Sequence, residues 1–125
     1  MMAVYLTVAE VLAIHDDQIE RYGGSPGVRD MGQLEAALFR PQTGYYDDIV
    51  AEAAALWESL SQNHPFVDGN KRTAFAVAFT FLAVNNVTIT ADEQAVMKFL
   101  LPLYARSSIT FARLDAWLRK NTDLP

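Results

Sequence analysis

At 125 residues, with 51% apolar side chains, the chain is long enough to bury one core and too short for two ordinary domains. It has no cysteine, which excludes a disulfide framework and any thiolate metal site. Its net charge of −5 argues against general binding of nucleic-acid backbones. No apolar run approaches the ~20 residues a bilayer span requires. The first residues show no basic segment leading into an apolar one, the pattern of a secretory leader. The expectation is a soluble, cytoplasmic, single domain over residues 1–125.

The elements read as consecutive helices with short turns. Thr7-Val8-Ala9-Glu10 has the spacing of a capping box. It opens a first helix with Val8, Val11, Leu12 and Ile19 inward, stopped by Gly23-Gly24. His15 falls mid-helix beside Asp16 and Asp17, and reads as a surface or half-buried histidine. Asp30 is a good cap for a second helix carrying Leu34, Ala37 and Leu38, and Pro41 ends it. Gln42–Asp47 has turn chemistry and reads as a loop or short hairpin.

A third helix is expected from about Asp48 to Asn63, burying Ile49, Ala53, Leu56, Trp57 and Leu60. His64 continues that inward face by spacing, but Pro65 forces it out of helical geometry. The fourth helix starts near Asn70. Ala74 to Val84 is apolar at ten of eleven positions, so this helix reads as central and covered on all sides. Val87-Thr88-Ile89 reads as a short extended piece. Thr90-Ala91-Asp92-Glu93 reads as a second capping box, opening a helix with Val96, Phe99, Leu100 and Leu103. A last helix, about Thr110 to Lys120, packs Leu114, Trp117 and Leu118. The fold class is all-α: about six helices with a buried central helix following the loop at His64.

That loop concentrates the chemistry. Residues 1–63 hold ten acids and three bases, and residues 64–125 five acids and seven bases. Lys71 and Arg72 stand in the first turn of a helix, where the dipole disfavours cations by roughly 0.3–1 kcal/mol each. A bound anion would reverse that penalty and satisfy the free N–H groups of the helix end. Gly69 has no Cβ to obstruct its approach. Asp68, just before, suits Mg²⁺, which takes one or two protein oxygens plus phosphates and waters. His64 alone in the loop can accept a proton near neutral pH. Singly, each feature has an ordinary explanation: a helix-end histidine, an Asp-Gly-Asn turn, a solvated cation pair. Together they form the parts list of phosphoryl or nucleotidyl transfer. Phe75, Phe79 and Phe81 read as core.

His64-Pro65-Phe66-Val67-Asp68-Gly69-Asn70-Lys71-Arg72-Thr73 resembles the loop signature of the Fic/Doc (Fido) superfamily, and looks specifically like its death-on-curing (Doc) toxin branch. Lys71 stands where adenylylating Fic proteins carry glycine. The stretches Arg21-Tyr22-Gly23-Gly24, Pro26-Gly27-Val28-Arg29-Asp30, Leu34-Glu35-Ala36-Ala37-Leu38 and Arg40-Pro41-Gln42 are similar to the family's N-terminal segment. The resemblance implies a Fido-type domain in which His64 is the general base, Asp68 holds Mg²⁺, Gly69 and Asn70 shape the anion pocket, and Lys71 and Arg72 grip ATP phosphates. It implies that Phe66 anchors the loop, and that Gln42, Thr43, Gly44, Tyr45 and Tyr46 lie where the family has its target-positioning flap.

The implied activity is transfer of the ATP γ-phosphate to a threonine or serine hydroxyl of a translation factor, elongation factor Tu in the Doc branch, arresting translation. Pro65 and Gly69 stand closer to the Fic pattern. Protein adenylylation therefore stays as the alternative, with an inactive nucleotide- or partner-binding module as a third reading. No glutamate is followed by glycine or asparagine, so the self-inhibitory Fic motif Ser/Thr-x-x-x-Glu-Gly/Asn is missing. The implied inhibitor is a separate antitoxin of the prevent-host-death type, folding a helix into a groove of this domain.

Overall fold

The computed structural model describes residues 3–124, and within them the fold is all-α. The helices are α1 (Val8–Tyr22), α2 (Met31–Phe39), α3 (Ile49–Asn63), α4 (Asn70–Val84), α5 (Glu93–Ala105) and α6 (Phe111–Lys120). A 3-10 turn, Arg40–Thr43, follows α2, and two short strands, β1 (Thr88–Ile89) and β2 (Thr122–Asp123), pair antiparallel. No described helix is long and apolar enough to cross a membrane.

Local sequence explains the helix starts. Thr7 makes both arms of the capping box of α1, and Asp30, Asp48 and Thr110 each accept a backbone N–H at the heads of α2, α3 and α6. At α5 the expected Thr90 box does not form. Asp92 is the cap, accepting from Ala95 N at 2.8 Å, while Thr90 N donates to Asn121 O. The carboxylate two residues nearer the helix reaches its free N–H groups, and Thr90 is held in the extension of the strand pair.

The most buried helix is α3, with eleven of its fifteen residues inside. Ala53, Ala54 and Ala55 are fully enclosed, small side chains that let neighbouring helices approach closely. Trp57 fills the space beyond them, in edge contact with Phe75, Phe99 and Trp117. The fourth helix is only partly covered, contrary to the reading from its composition. Thr73, Ala74, Val77, Ala78, Phe81 and Leu82 are buried, whereas Phe79 and Val84 are each 43% exposed. An apolar composition reports that a face avoids water, not that this chain supplies the cover.

At the far end of α4, Asn85 accepts from Val4 N and donates to Val4 O, and the β1–β2 pair lies just beyond. Arg119 of α6 forks onto Asp48, with both distances 3.0 Å. This pair holds the Asp48 carboxyl below the usual carboxylate range and ties α6 to the head of α3.

Candidate active site

The loop between α3 and α4 is built on a left-handed residue. His64 ends α3 with φ 48° and ψ 56°, a region that costs a side-chain-bearing residue about 1–2 kcal/mol. This turn corrects the expectation from helical spacing. The imidazole leaves the inward face, is exposed, and among the described residues takes no hydrogen-bond partner. Two orphan carbonyls at this helix end are held by Arg29, whose guanidinium donates to His64 O at 2.6 Å and Asn63 O at 2.8 Å. The backbone of Arg29 and Asp30 also donates to Pro65 O, and Val67 N to Gly27 O. The Gly27–Asp30 segment therefore braces the loop from outside.

From inside, Phe66 is buried and stacks face to face on His15, with centroids 3.9 Å apart. His15 is itself 1% exposed, not the surface or half-buried residue expected from its acidic neighbours. Its Nε2–H donates to the Asp68 carbonyl at 2.8 Å. Asn70 closes the loop on itself, accepting from Phe66 N and donating to Phe66 O, both at 2.9 Å. Its amide holds the shape of the loop, and the residue also lines the groove at the head of α4.

The Asp68 carboxylate accepts from Ser25 N at 3.1 Å and from Gly69 N at 2.8 Å. These N–H groups, with a contribution from Arg72, hold its carboxyl below the usual carboxylate range. A Cβ on Gly24 would lie 2.8 Å from Asp68 Oδ2; only a bare backbone fits there. Gly69, at φ 74°, is the N-cap of α4 and gives it no side-chain cap, whereas the other five α-helices all have one. The uncapped end carries the two cations, which diverge. Arg72 turns back to α1, donating to Gly23 O at 2.8 Å and lying 5.6 Å from the centre of the Tyr22 ring. Lys71 turns to α5, with Nζ 4.8 Å above the Tyr104 ring.

His64, Asp68, Gly69, Asn70, Lys71 and Arg72 line one groove of about 1040 Å³ between α4 and α5. Its far part is apolar, formed by Phe75, Phe79, Met97 and Leu101 among others. Among the described residues no three His, Cys, Asp or Glu side chains cluster as a metal cage. Asp68 fits only the kind of Mg²⁺ site completed by phosphate and water.

The five expected flap residues do not join this groove. Gln42 and Thr43 end the 3-10 turn, Gly44 is left-handed, and Tyr45 is 82% exposed. Tyr46 accepts from Arg40 Nε at 2.7 Å, within a network that takes in Glu58 and Ser59. Arg29 and His15 were missed as parts of the site. His15 had a signal: it lies four residues from both Val11 and Ile19, on the inward stripe.

The Fic/DOC family profile matches residues 5–82, a span running from the first helix through the loop and most of α4. The chain belongs to the Fic/DOC family. It is 53% identical over 76 residues to "Toxin Doc" of Mycolicibacterium smegmatis (strain ATCC 700084 / mc(2)155), covering 57% of this chain and 58% of that protein. It is 37% identical over 89 residues to "Protein kinase doc" of Escherichia phage P1, covering 68% of this chain and 71% of that one. Both relatives carry the Doc name, so the Fic/DOC chain described here falls in the Doc branch.

Proposed function

We propose that this Doc-branch protein is a cytoplasmic toxin of a toxin–antitoxin pair and a protein kinase that uses Mg²⁺ and ATP. One observation carries the reading: an uncapped helix end with two cations opens onto the same groove as an exposed, unpartnered imidazole. The free N–H groups of α4, with Lys71 and Arg72, bind the polyphosphate. The divergence of the two cations suits a chain of phosphates better than a single one. Asp68 would hold Mg²⁺ beside the phosphates, where the ion would supply neutralisation of the charge that develops in transfer.

His64 takes the proton of a threonine or serine hydroxyl as its oxygen attacks the γ-phosphorus. The bond from the γ-phosphorus to the bridging oxygen breaks and ADP leaves. General-base help of this kind contributes typically 10²–10⁴-fold. Elongation factor Tu is the target by family resemblance. The similarity to a protein named as a kinase, with Lys71 in place of glycine, favours γ-phosphate transfer over adenylylation.

The antitoxin would occupy the apolar far part of the groove. An amphipathic helix there covers Phe79, Met97 and Leu101, which stand 43%, 43% and 57% exposed, and meets the loop end-on. The deciding experiment incubates the protein and a cell lysate with ATP labelled at either the α- or the γ-phosphate. Label from the γ position alone supports the kinase, label from the α position supports adenylylation, and none from either leaves a binding module. His64→Ala should remove the signal.

A further inference from the structure

We propose that Tyr104 of α5 is a positioning residue for Lys71, holding its ammonium at the groove wall where a nucleotide phosphate meets it already in place. The inference rests on the phosphotransfer reading above and adds a residue beyond the loop. Lys71 is exposed and its stem is long, so in water its charge would sample many positions. Here Nζ sits 4.8 Å from the centre of the Tyr104 ring, within the distance at which a cation is drawn to an aromatic face. The Tyr104 hydroxyl also approaches Lys71 O, at 3.4 Å, so ring and backbone of the two residues face each other.

The ring is half-buried, so its position rests on packing rather than on its hydroxyl. Its hydroxyl faces Ser61 and Trp57, and burial holds it above the usual tyrosine range. Trp57 Nε1 and Ser61 Oγ are buried and close no hydrogen bond of their own. On the opposite wall Arg72 is held by Gly23 O. With Tyr104 in place both cations are preorganised, one on each side, and ATP binding spends less on ordering them.

A double-mutant cycle tests this, using Tyr104→Leu, Lys71→Met and the pair, with Tyr104→Phe as the conservative variant. The readouts are KM for ATP, kcat for γ-phosphate transfer, and thermal unfolding. Tyr104→Leu should raise KM about two- to sixfold, the span of an exposed cation–π contact, with a smaller change in kcat. Tyr104→Phe should restore the parent KM. In the Lys71→Met background Tyr104→Leu should change KM no further. Additive losses, no rescue by phenylalanine, or a lower KM in Tyr104→Leu would overturn the positioning role. Absence of γ-phosphate transfer by the parent protein would instead overturn the phosphotransfer reading, and the proposal with it.

Discussion

His15 and Phe66 lie ring on ring, their planes within 5° of parallel, and this stack is the floor of the loop. The histidine works twice, since its Nε2–H also fixes the Asp68 carbonyl. His15→Ala should therefore remove a buried stack and leave a carbonyl unpaired, for a loss of about 2–4 kcal/mol by denaturant unfolding. Transfer activity should fall further than the unfolded fraction explains, because the Asp68 backbone loses its tether. A variant as stable as the parent would show that His15 is not part of the support.

Gly23 and Gly24 are neighbours with different duties. Both have positive φ, but a Cβ at Gly23 meets nothing within 4 Å, whereas one at Gly24 meets Asp68 Oδ2 at 2.8 Å. Gly23→Ala should cost about 1–3 kcal/mol of stability, because φ 85° with ψ 175° is backbone essentially reserved for glycine, and leave the Mg²⁺ requirement unchanged. Gly24→Ala should displace the carboxylate and raise the Mg²⁺ concentration needed for half-maximal transfer. Equal Mg²⁺ requirements in the two variants would break the assignment of Asp68.

At His64 the fold and the proposed chemistry want different residues. A glycine would suit the left-handed end of α3. His64→Gly should be more stable than His64→Ala by about 1 kcal/mol in thermal unfolding, while both lose transfer. If alanine is tolerated as well as glycine, the backbone at this position stores no strain.

The hydrogen bond from Tyr5 to the largely buried Glu52, at 2.5 Å, sets an alkaline limit. That bond, then burial and the nearby charge, push the Tyr5 hydroxyl up from 10.0 to about 12. A group raised in the folded state stabilises fully below its unfolded value. Its contribution should therefore be present below pH 10 and be lost as the pH climbs through 12. Tyr5→Phe should flatten that decline in stability and lower stability at neutral pH, where Glu52 is left without its donor. An unchanged alkaline profile in the variant would assign the decline to other groups.

Much of this architecture could be read from the chain because it is written in local signals. Thr7 and Asp30 cap where expected, Asp48 and Thr110 cap the helices expected to begin near them, and Pro65 ends α3 for a steric reason that needs no tertiary knowledge. The all-α class and the clustering of His64, Asp68, Lys71 and Arg72 followed from spacing and motif. What escaped the reading depends on distant partners. The fork of Arg29 onto Asn63 and His64 crosses more than thirty residues and leaves no periodic trace. The burial of His15 was masked by two flanking acids, although its spacing from Val11 and Ile19 pointed inward. The open side of α4 could not be seen because Phe79 looks the same in a sequence whether its cover is internal or supplied by another molecule. The residues from Gln42 to Tyr46 could not be placed from composition, since a 3-10 turn and a hairpin loop draw on the same residue types.

The clasp of Val4 on Asn85, with the strand pair beside it, gathers both ends of the described chain at one pole. The fifteen residues of α4 span about 22 Å at the rise of an α-helix, which separates that pole from the mouth where His64 stands. An affinity tag, a fluorescent reporter or a tether to a surface, spliced on at either end, departs from the remote side. Immobilised molecules should keep their entrance unobstructed, so binding of nucleotide and of a captured helix can be followed on the same tethered sample.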